Sequence, residues 1–312
     1  MTLRIGTRGS RLALWQANHV AALLGPLAGS CRVEIIEIQT VGDQVRDAPL
    51  PQIGGEGVFT KEIQRELLAG SIDVAVHSLK DLPTIAVQGL LLAAVPVRGP
   101  TGDVFVSHRC RTFDGLPAGA VVATSSLRRR AQALHRRPDL RLVDIRGNVE
   151  TRLRKLSEER AGGVSPLMDG LILALAGLER LGLADAIAEV LDPQWMLPAV
   201  GQGALGLECR AGDRDTLDLV QQLNHQPTRQ AVLAERSFLR TLQGGCQVPI
   251  GAAATVADDT LTLRGVVLPP DGSRRVEGVV SGSSSDAESL GCQLASDLLA
   301  SGATHLLQSL GG

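Results

Sequence analysis

The sequence predicts an α/β chain of three domains: two built from βαβ units on largely parallel sheets, and a small α+β domain with an antiparallel sheet. Three observations carry this expectation. Up to about residue 210, short β-type apolar runs alternate with helical periodicity, the pattern of strands with helices on both faces of a sheet. The stretch Pro96–Gly102 (PVRGPTG) breaks that alternation like a hinge, and a second series of units follows it. After Gln221 the order changes to one long helix, several alternating strands and a closing helix. A chain of 312 residues has room for two or three cores, since a core rarely grows past roughly 200 residues before splitting.

In the first series Leu3–Thr7 reads as a strand, Arg11–Leu24 as an amphipathic helix and Val33–Thr40 as a second strand. Thr60–Ala69 is helical and Ile72–Val76 is a strand of the fully buried type. Between them, Val41–Val58 is rich in Gly, Pro and Asp and has no apolar period, which marks a lid or mobile segment. The second series runs through Val104–Val106, Ala120–Ala123, helix Leu127–Arg137, strand Arg141–Ile145, helix Val149–Glu159 and strand Leu171–Leu175. Pro193–Pro198 punctuates the chain, and Gly203–Arg210 reads as a strand that can return to the first sheet. The expected domains are therefore 1–98 with 202–221, then 99–201, then 222–312. In the last, helix Thr228–Leu242 precedes strands near 251–256, 261–268 and 274–280, and Ser285-Asp286-Ala287-Glu288 has the form of a capping box.

Composition excludes several classes. Two Trp, four Phe and no Tyr leave little from which to build a base-stacking surface, so a nucleic-acid partner is not expected. The longest uncharged apolar run, Leu82–Val97, is interrupted by Pro83, Gln88, Gly89 and Pro96 and is too short to span a bilayer. No charged leader followed by an apolar stretch opens the sequence. Five widely spaced cysteines without a CxxC suggest reduced thiols in a cytoplasm, and the six scattered histidines offer no metal set. Charge is uneven: from Arg128 to Lys155 nine Arg and one Lys stand against Asp139, Asp144 and Glu150, which favours an anion site over a merely solvated helix face.

Five places invite a chemical reading, and one of them is rejected. Gly201-Gln202-Gly203-Ala204-Leu205-Gly206 fits GxGxxG, but Pro198 precedes it and a strand follows it, so a dinucleotide site is rejected. His77-Ser78-Leu79-Lys80-Asp81-Leu82-Pro83 lies past a buried strand, where ligand crevices of α/β sheets open. A carboxylate there can offset a cation or move a proton, although from the segment alone a solvated surface turn stiffened by Pro83 is the better reading. Thr7-Arg8-Gly9-Ser10 and Thr124-Ser125-Ser126-Leu127-Arg128-Arg129 both end a strand and open a helix, with hydroxyls and arginines suited to carboxylates or phosphates. Cys246 sits in a glycine-flanked turn that exposes its thiol, whereas Cys31, Cys110, Cys209 and Cys292 read as buried and inert.

At these residues the sequence resembles the hydroxymethylbilane synthase (porphobilinogen deaminase) family, over essentially the whole chain. The motifs are TRGSRLALWQA (7–17), VHSLKDLP (76–83), SSLRRRAQ (125–132), DIRGNVETRLRKL (144–156), LPAVGQGALGLECR (197–210) and GGCQVPIG (244–251). The resemblance implies two domains like the halves of periplasmic binding proteins flanking a cleft, and a third carrying the cofactor loop. It implies a dipyrromethane cofactor joined by a thioether to Cys246, and Asp81 as the catalytic aspartate. It assigns Arg8, Ser10, Lys80, Ser125, Arg128, Arg129, Arg146, Arg152 and, on a looser motif, Arg180 to the carboxylates of cofactor and substrate. Lys61, after the lid, is implied to help line the cleft. The implied activity joins four porphobilinogens into a linear tetrapyrrole in a cytoplasmic monomer that uses no metal. The sequence departs from the family at Glu56, where Gly54-Gly55-Glu56-Gly57 replaces the usual Gly-Gly-Lys-Gly, and in a short insertion at Ala161–Pro166. A two-lobed anion receptor would share the α/β pattern but has no use for GGCQVPIG.

Overall fold

The computed structural model describes residues 2–29, 31–40, 57, 60–158, 168–243 and 248–308. The lid expected over 42–58 (Gly57 aside), the 161–166 insertion and Cys246 lie outside the described residues.

The first sheet forms around β1 (Thr2–Arg8), whose Leu3 and Ile5 alternate into the core. Ser10 then caps α1 (Arg11–Leu24) by accepting from the Ala13 N–H at 3.3 Å, and the helix buries Ala13, Ala17, Val20 and Leu24 on one face. Next come β2 (Arg32–Ile38), α2 (Lys61–Leu68), β3 (Val74–Ser78) and a 3₁₀ turn at Leu79–Asp81. β4 (Leu90–Ala94) lies inside the apolar run Leu82–Val97, where no strand was expected. Its turn residues at both ends concealed a five-residue strand. The second sheet takes β5 (Asp103–Val106), β6 (Val121–Ala123), α3 (Leu127–Arg136), β7 (Arg141–Val143), α4 (Val149–Glu158), β8 (Gly170–Ala174), α5 (Leu175–Arg180) and β9 (Glu189–Val190).

Sheet order shows how the two lobes relate. The first sheet runs β2-β1-β3-β10-β4 and the second β7-β6-β8-β5-β9, where β10 is Leu205–Arg210. In each, three parallel strands are followed by one antiparallel strand. That antiparallel strand always comes from chain arriving from the other sheet. β5 opens the second sheet after leaving the first, and β10 returns to pair with β3 and β4. Two crossovers, around 95–102 and 191–204, therefore run side by side between the lobes.

Beyond β10, α6 (Arg214–Gln221) is capped by Asp213, and α7 (Gln226–Thr241) by the His225 ring with Pro227 in its first turn. The third sheet is the antiparallel meander β11 (Ile250–Ala257), β12 (Thr260–Val267) and β13 (Val276–Ser283), packed on α7 and α8 (Ala287–Leu298). α9 (Thr304–Gln308) closes the described chain. Phe238 fills the centre of this core, and α8 approaches α7 at Gly291, where a Cβ would stand 2.4 Å from the Ala234 carbonyl oxygen. The expected capping box is not made. A 3₁₀ turn at Ser284–Asp286 comes first, Ser283 caps it, and Asp286 precedes α8 without a side-chain bond.

α7 also fastens the crossovers. Fully buried Glu235 accepts from Arg98 Nη1 at 2.7 Å and Nη2 at 2.9 Å, from the Gly201 N–H at 2.8 Å and from the Ala254 N–H at 2.9 Å. Arg98 Nε donates in turn to the Gln202 carbonyl at 2.8 Å. At Gly203, φ is +83° and a Cβ would lie 2.6 Å from the carbonyl oxygens of Gly99 and Pro100, so only glycine lets the strands pass this closely. The glycines of GQGALG thus serve a strand crossing.

Among the described residues no helix is long and apolar enough to cross a membrane. Of the cysteines expected to be buried, only Cys209 is. Cys31 and Cys110 are half-buried and Cys292 is exposed on α8, its thiol lowered by hydrogen bonds from Ser237 and Thr241.

Removing Glu235 strands a buried guanidinium and two backbone N–H groups. Glu235→Ala should cost about 3–5 kcal/mol in chemical denaturation. Disrupting the exposed Arg136–Asp114 pair should cost under about 1 kcal/mol.

Candidate active site

The carboxyl ends of the parallel strands of both sheets point into one cleft, the place where α/β folds bind ligands. β1 delivers Arg8 and Ser10, β3 delivers Lys80 and Asp81, β6 leads to Ser125 and α3, β7 to Arg146, and β8 to α5 with Arg180. The cleft is partly open to solvent and is walled by α1, the end of β3, the second crossover and the helices of the second lobe. Lys80, Arg129, Arg152 and Arg180 line it, and among the described lining residues there is no carboxylate.

Behind the lining lies one fully buried acid. Asp103, the first residue of β5, accepts from Arg128 Nη1 at 2.7 Å and from Arg129 Nη2 at 2.8 Å and Nε at 3.0 Å. Gln202 donates to the same carboxylate at 2.9 Å and to the Thr101 carbonyl at 2.7 Å, and its own oxygen faces Lys80 Nζ at 3.5 Å. Burial alone would raise Asp103, but Arg128 and Arg129 outweigh it and hold the carboxyl well below the usual carboxylate range.

One carboxylate does not balance this many cations. Burial pushes Lys80 down to about 8, with the Arg129 charge adding to the effect and Asp81 and Asp103 offsetting part of it. Burial likewise brings Arg152 down to about 10, reinforced by Arg129 and Arg146 and opposed by Asp81. Arg180, lowered by burial, donates to the Gly203 carbonyl at 2.7 Å and lies 5.5 Å from the Trp15 ring centre. Across the cleft mouth Arg11 of α1 pairs with Glu150 of α4 at 3.1 Å.

The residues singled out in the sequence are therefore only partly gathered. Lys80, Arg129, Arg152 and Arg180 share the cleft, and the charges of Asp81 and Arg146 reach it. Arg128 does not line it. Its side chain is buried against Asp103 and the Leu197 carbonyl, which Gln132 also engages at 3.0 Å. Thus SSLRRRAQ grips the start of LPAVGQGALGLECR. The Ser125 hydroxyl bonds the Ile145 carbonyl at 2.5 Å and the Ile145 N–H at 3.1 Å, while the neighbouring Ser126 caps α3. Half-buried Arg8 and Ser10 stand at the edge, and Lys61 is exposed at the start of α2. His77 turns away from the cleft, its Nε2 2.9 Å from a carboxylate oxygen of buried Glu208.

Sequence reasoning missed Asp103, Gln202 and Glu235. The signal was there for the two acids, each set in an apolar run (DVFV and AVLAERSFL), where a charge is buried only if paired.

A model described as "Porphobilinogen deaminase, dipyromethane cofactor binding domain" matches residues 3–218. The chain belongs to the porphobilinogen deaminase family. A second model, for the C-terminal domain of that family, matches residues 229–300. Curated porphobilinogen deaminases are similar throughout: that of Syntrophotalea carbinolica is 52% identical over 99% of this chain and 96% of its own. Those of Trichlorobacter lovleyi and Geobacter sulfurreducens are each 49% identical, over 99% and 98% of this chain and 96% and 93% of theirs. Among solved structures, the methionine-binding protein MetQ is similar at 13% identity and TM-score 0.42, over 75% of this chain and 93% of its own. A periplasmic substrate-binding protein from Coxiella burnetii is similar at 16% identity and TM-score 0.43, over 75% and 94%.

The described residues suit the family's dipyrromethane, a group bearing several carboxylates, because the cleft wall holds an excess of cations. The chain has three lysines, at 61, 80 and 155, so the burial of Lys80 beside Arg129 can be measured. Lys80 falls from 10.5 to about 8 on folding, so between those values the unfolded chain binds more protons than the folded one. Stability gained from this group therefore rises with pH across that window. In the cofactor-free chain, ¹⁵N NMR of the lysine amines should show one titrating near pH 8, absent in Lys80→Met. A Lys80 midpoint above 10 would contradict the charge balance described.

Proposed function

We propose that this cleft joins four porphobilinogens head-to-tail on a dipyrromethane attached through a thioether to Cys246, and that hydrolysis of the bond to the dipyrromethane releases the tetrapyrrole as hydroxymethylbilane. The observation that carries the reading is a wall of four cations, Lys80, Arg129, Arg152 and Arg180, in a chain matched by the dipyrromethane-binding family over residues 3–218. Each pyrrole brings two carboxylates, and planar guanidinium groups pair with carboxylates in two-bond geometry. The assembly is read as three domains, 1–98 with 202–221, 99–201 and 222–312, working as a cytoplasmic monomer on a small-molecule substrate.

Asp81 is the catalytic carboxylate in this reading. It follows β3 on a 3₁₀ turn, and its charge acts on both Lys80 and Arg152, so it stands among the cations that bind the substrate's acid groups. When porphobilinogen loses ammonia its C–N bond breaks and a cationic azafulvene remains, which a fixed carboxylate stabilises. The dipyrromethane, when bound, supplies the pyrrole α-carbon to which the first unit is joined. Asp81 can then take the proton released from that carbon as the ring regains aromaticity. Arg129, Arg152 and Arg180 hold acetate and propionate groups directly, with Arg146 beside them. Arg128 acts from behind by fixing Asp103 and the second crossover. Arg8, Ser10, Lys61 and Ser125 complete the proposed set at the cleft's margins.

Two measurements test this. Denatured protein from a porphobilinogen-producing cell should exceed its sequence mass by two pyrrole units, carried on the Cys246 peptide; fully active enzyme with unmodified Cys246 would refute the attachment. Asp81→Asn, with cofactor loading verified by mass, should lose turnover by about a hundredfold or more while staying folded. Near-normal turnover would remove Asp81 from the mechanism.

A further inference from the structure

The helix that leads toward Cys246 also grips the segment that carries Asp81. Arg236 on α7 is buried, and its guanidinium donates from Nη1 to the Leu82 carbonyl at 2.9 Å and from Nη2 to the Pro83 carbonyl at 2.6 Å. Leu82 and Pro83 are the two residues that directly follow Asp81. The 3₁₀ turn of Leu79–Asp81 closes with a Leu82 N–H to Leu79 carbonyl bond at 3.2 Å, and beyond it Pro83 has no N–H to give. A turn that leaves a strand in this way has no ladder to fix its direction. One planar guanidinium on two consecutive carbonyls does so, because the two bonds set both the position and the tilt of the peptide.

The neighbouring residue on α7, Glu235, holds Arg98 of the first crossover and the Gly201 N–H of the second. Successive residues of one helix thus register the hinge and the Asp81 turn to the same rigid body. Cys246 follows the end of that helix in sequence. We infer that Arg236 is a positioning residue for Asp81, setting its carboxylate relative to the helix that delivers the cofactor-bearing segment. The inference rests on the roles proposed above for Asp81 and Cys246. A side chain that merely glued the third lobe in place would matter for stability and not for the chemical step.

The test uses holoenzyme of Arg236→Met, which keeps the apolar stem but has no donors, and of Arg236→Lys, which keeps a donor, each confirmed by mass as cofactor-loaded. Loaded Arg236→Met should lose about tenfold to a hundredfold in kcat, with KM for porphobilinogen within about twofold, since small misplacement of a reacting group acts on rate. Arg236→Lys should recover most of that loss. Amide exchange over 79–88 should speed up in Arg236→Met while exchange over 226–241 stays as in the parent. A parent-like kcat in loaded Arg236→Met, with or without a lower Tm, would overturn the inference. Should Arg236→Met fail to accumulate folded, Arg236→Gln, too short to hold both carbonyls, decides: faster exchange over 79–88 with a selective fall in kcat supports it, and parent-like exchange and kcat overturn it. Failure of the Asp81 reading itself shows separately, as retained turnover in Asp81→Asn.

Discussion

A chain that passes twice between two sheets must satisfy two lengths of irregular backbone where water is scarce, and two buried acids meet that constraint here. Glu235 accepts from Arg98, Gly201 and Ala254, tying both crossovers to the third lobe. Asp103 accepts from Arg128, Arg129 and Gln202, tying the second lobe to the second crossover. Each takes several strong bonds, and without them the desolvation of a buried carboxylate would exceed any gain. The close passage at Gly203 follows from the same geometry, as does the shared strand order of the two sheets.

The site inherits its electrostatics from this framework. Asp103 is spent on two arginines, one of them facing the cleft, and is linked through Gln202 to Lys80. Along the cleft wall Lys80 and Arg152 are lowered first by burial and further by the neighbouring arginines, with Asp81 opposing in part. Such a wall is preorganised for anions and gains from each carboxylate brought to it. Stability and binding are therefore coupled: the groups that fasten the lobes also set the field the substrate meets.

Much of this was legible in the sequence. The βαβ alternation, the break at Pro96–Gly102 where the chain crosses between sheets, the returning strand at Gly203–Arg210 and the late antiparallel sheet all rest on apolar periodicity and turn residues, which are local signals. Six ordered motifs identified the family. Local signals could not separate Arg128 from Arg129, two adjacent arginines of which one faces the cleft and the other the interior. Nor could they show that Ser125 and Ser126 divide their work between Ile145 and a helix cap. β4 hid in a run broken by proline and glycine. The roles of Asp103, Gln202, Glu235 and Arg236 depend on partners far along the chain, such as the 137 positions between Arg98 and Glu235, and only the assembled fold brings them together.

In the proposed function the cleft's cations serve a chain that gains two carboxylates at each addition, so different arginines would act at different stages. Native mass spectrometry after a short pulse of porphobilinogen reads this directly in arginine variants. Arg152→Ala and Arg180→Ala should load cofactor and then accumulate protein carrying one to three extra units, because a later carboxylate finds no partner. Arg128→Ala, which empties a place behind the cleft wall, should instead remain without cofactor. A uniform loss of rate across all three, with no stalled species and no failure of loading, would contradict the account.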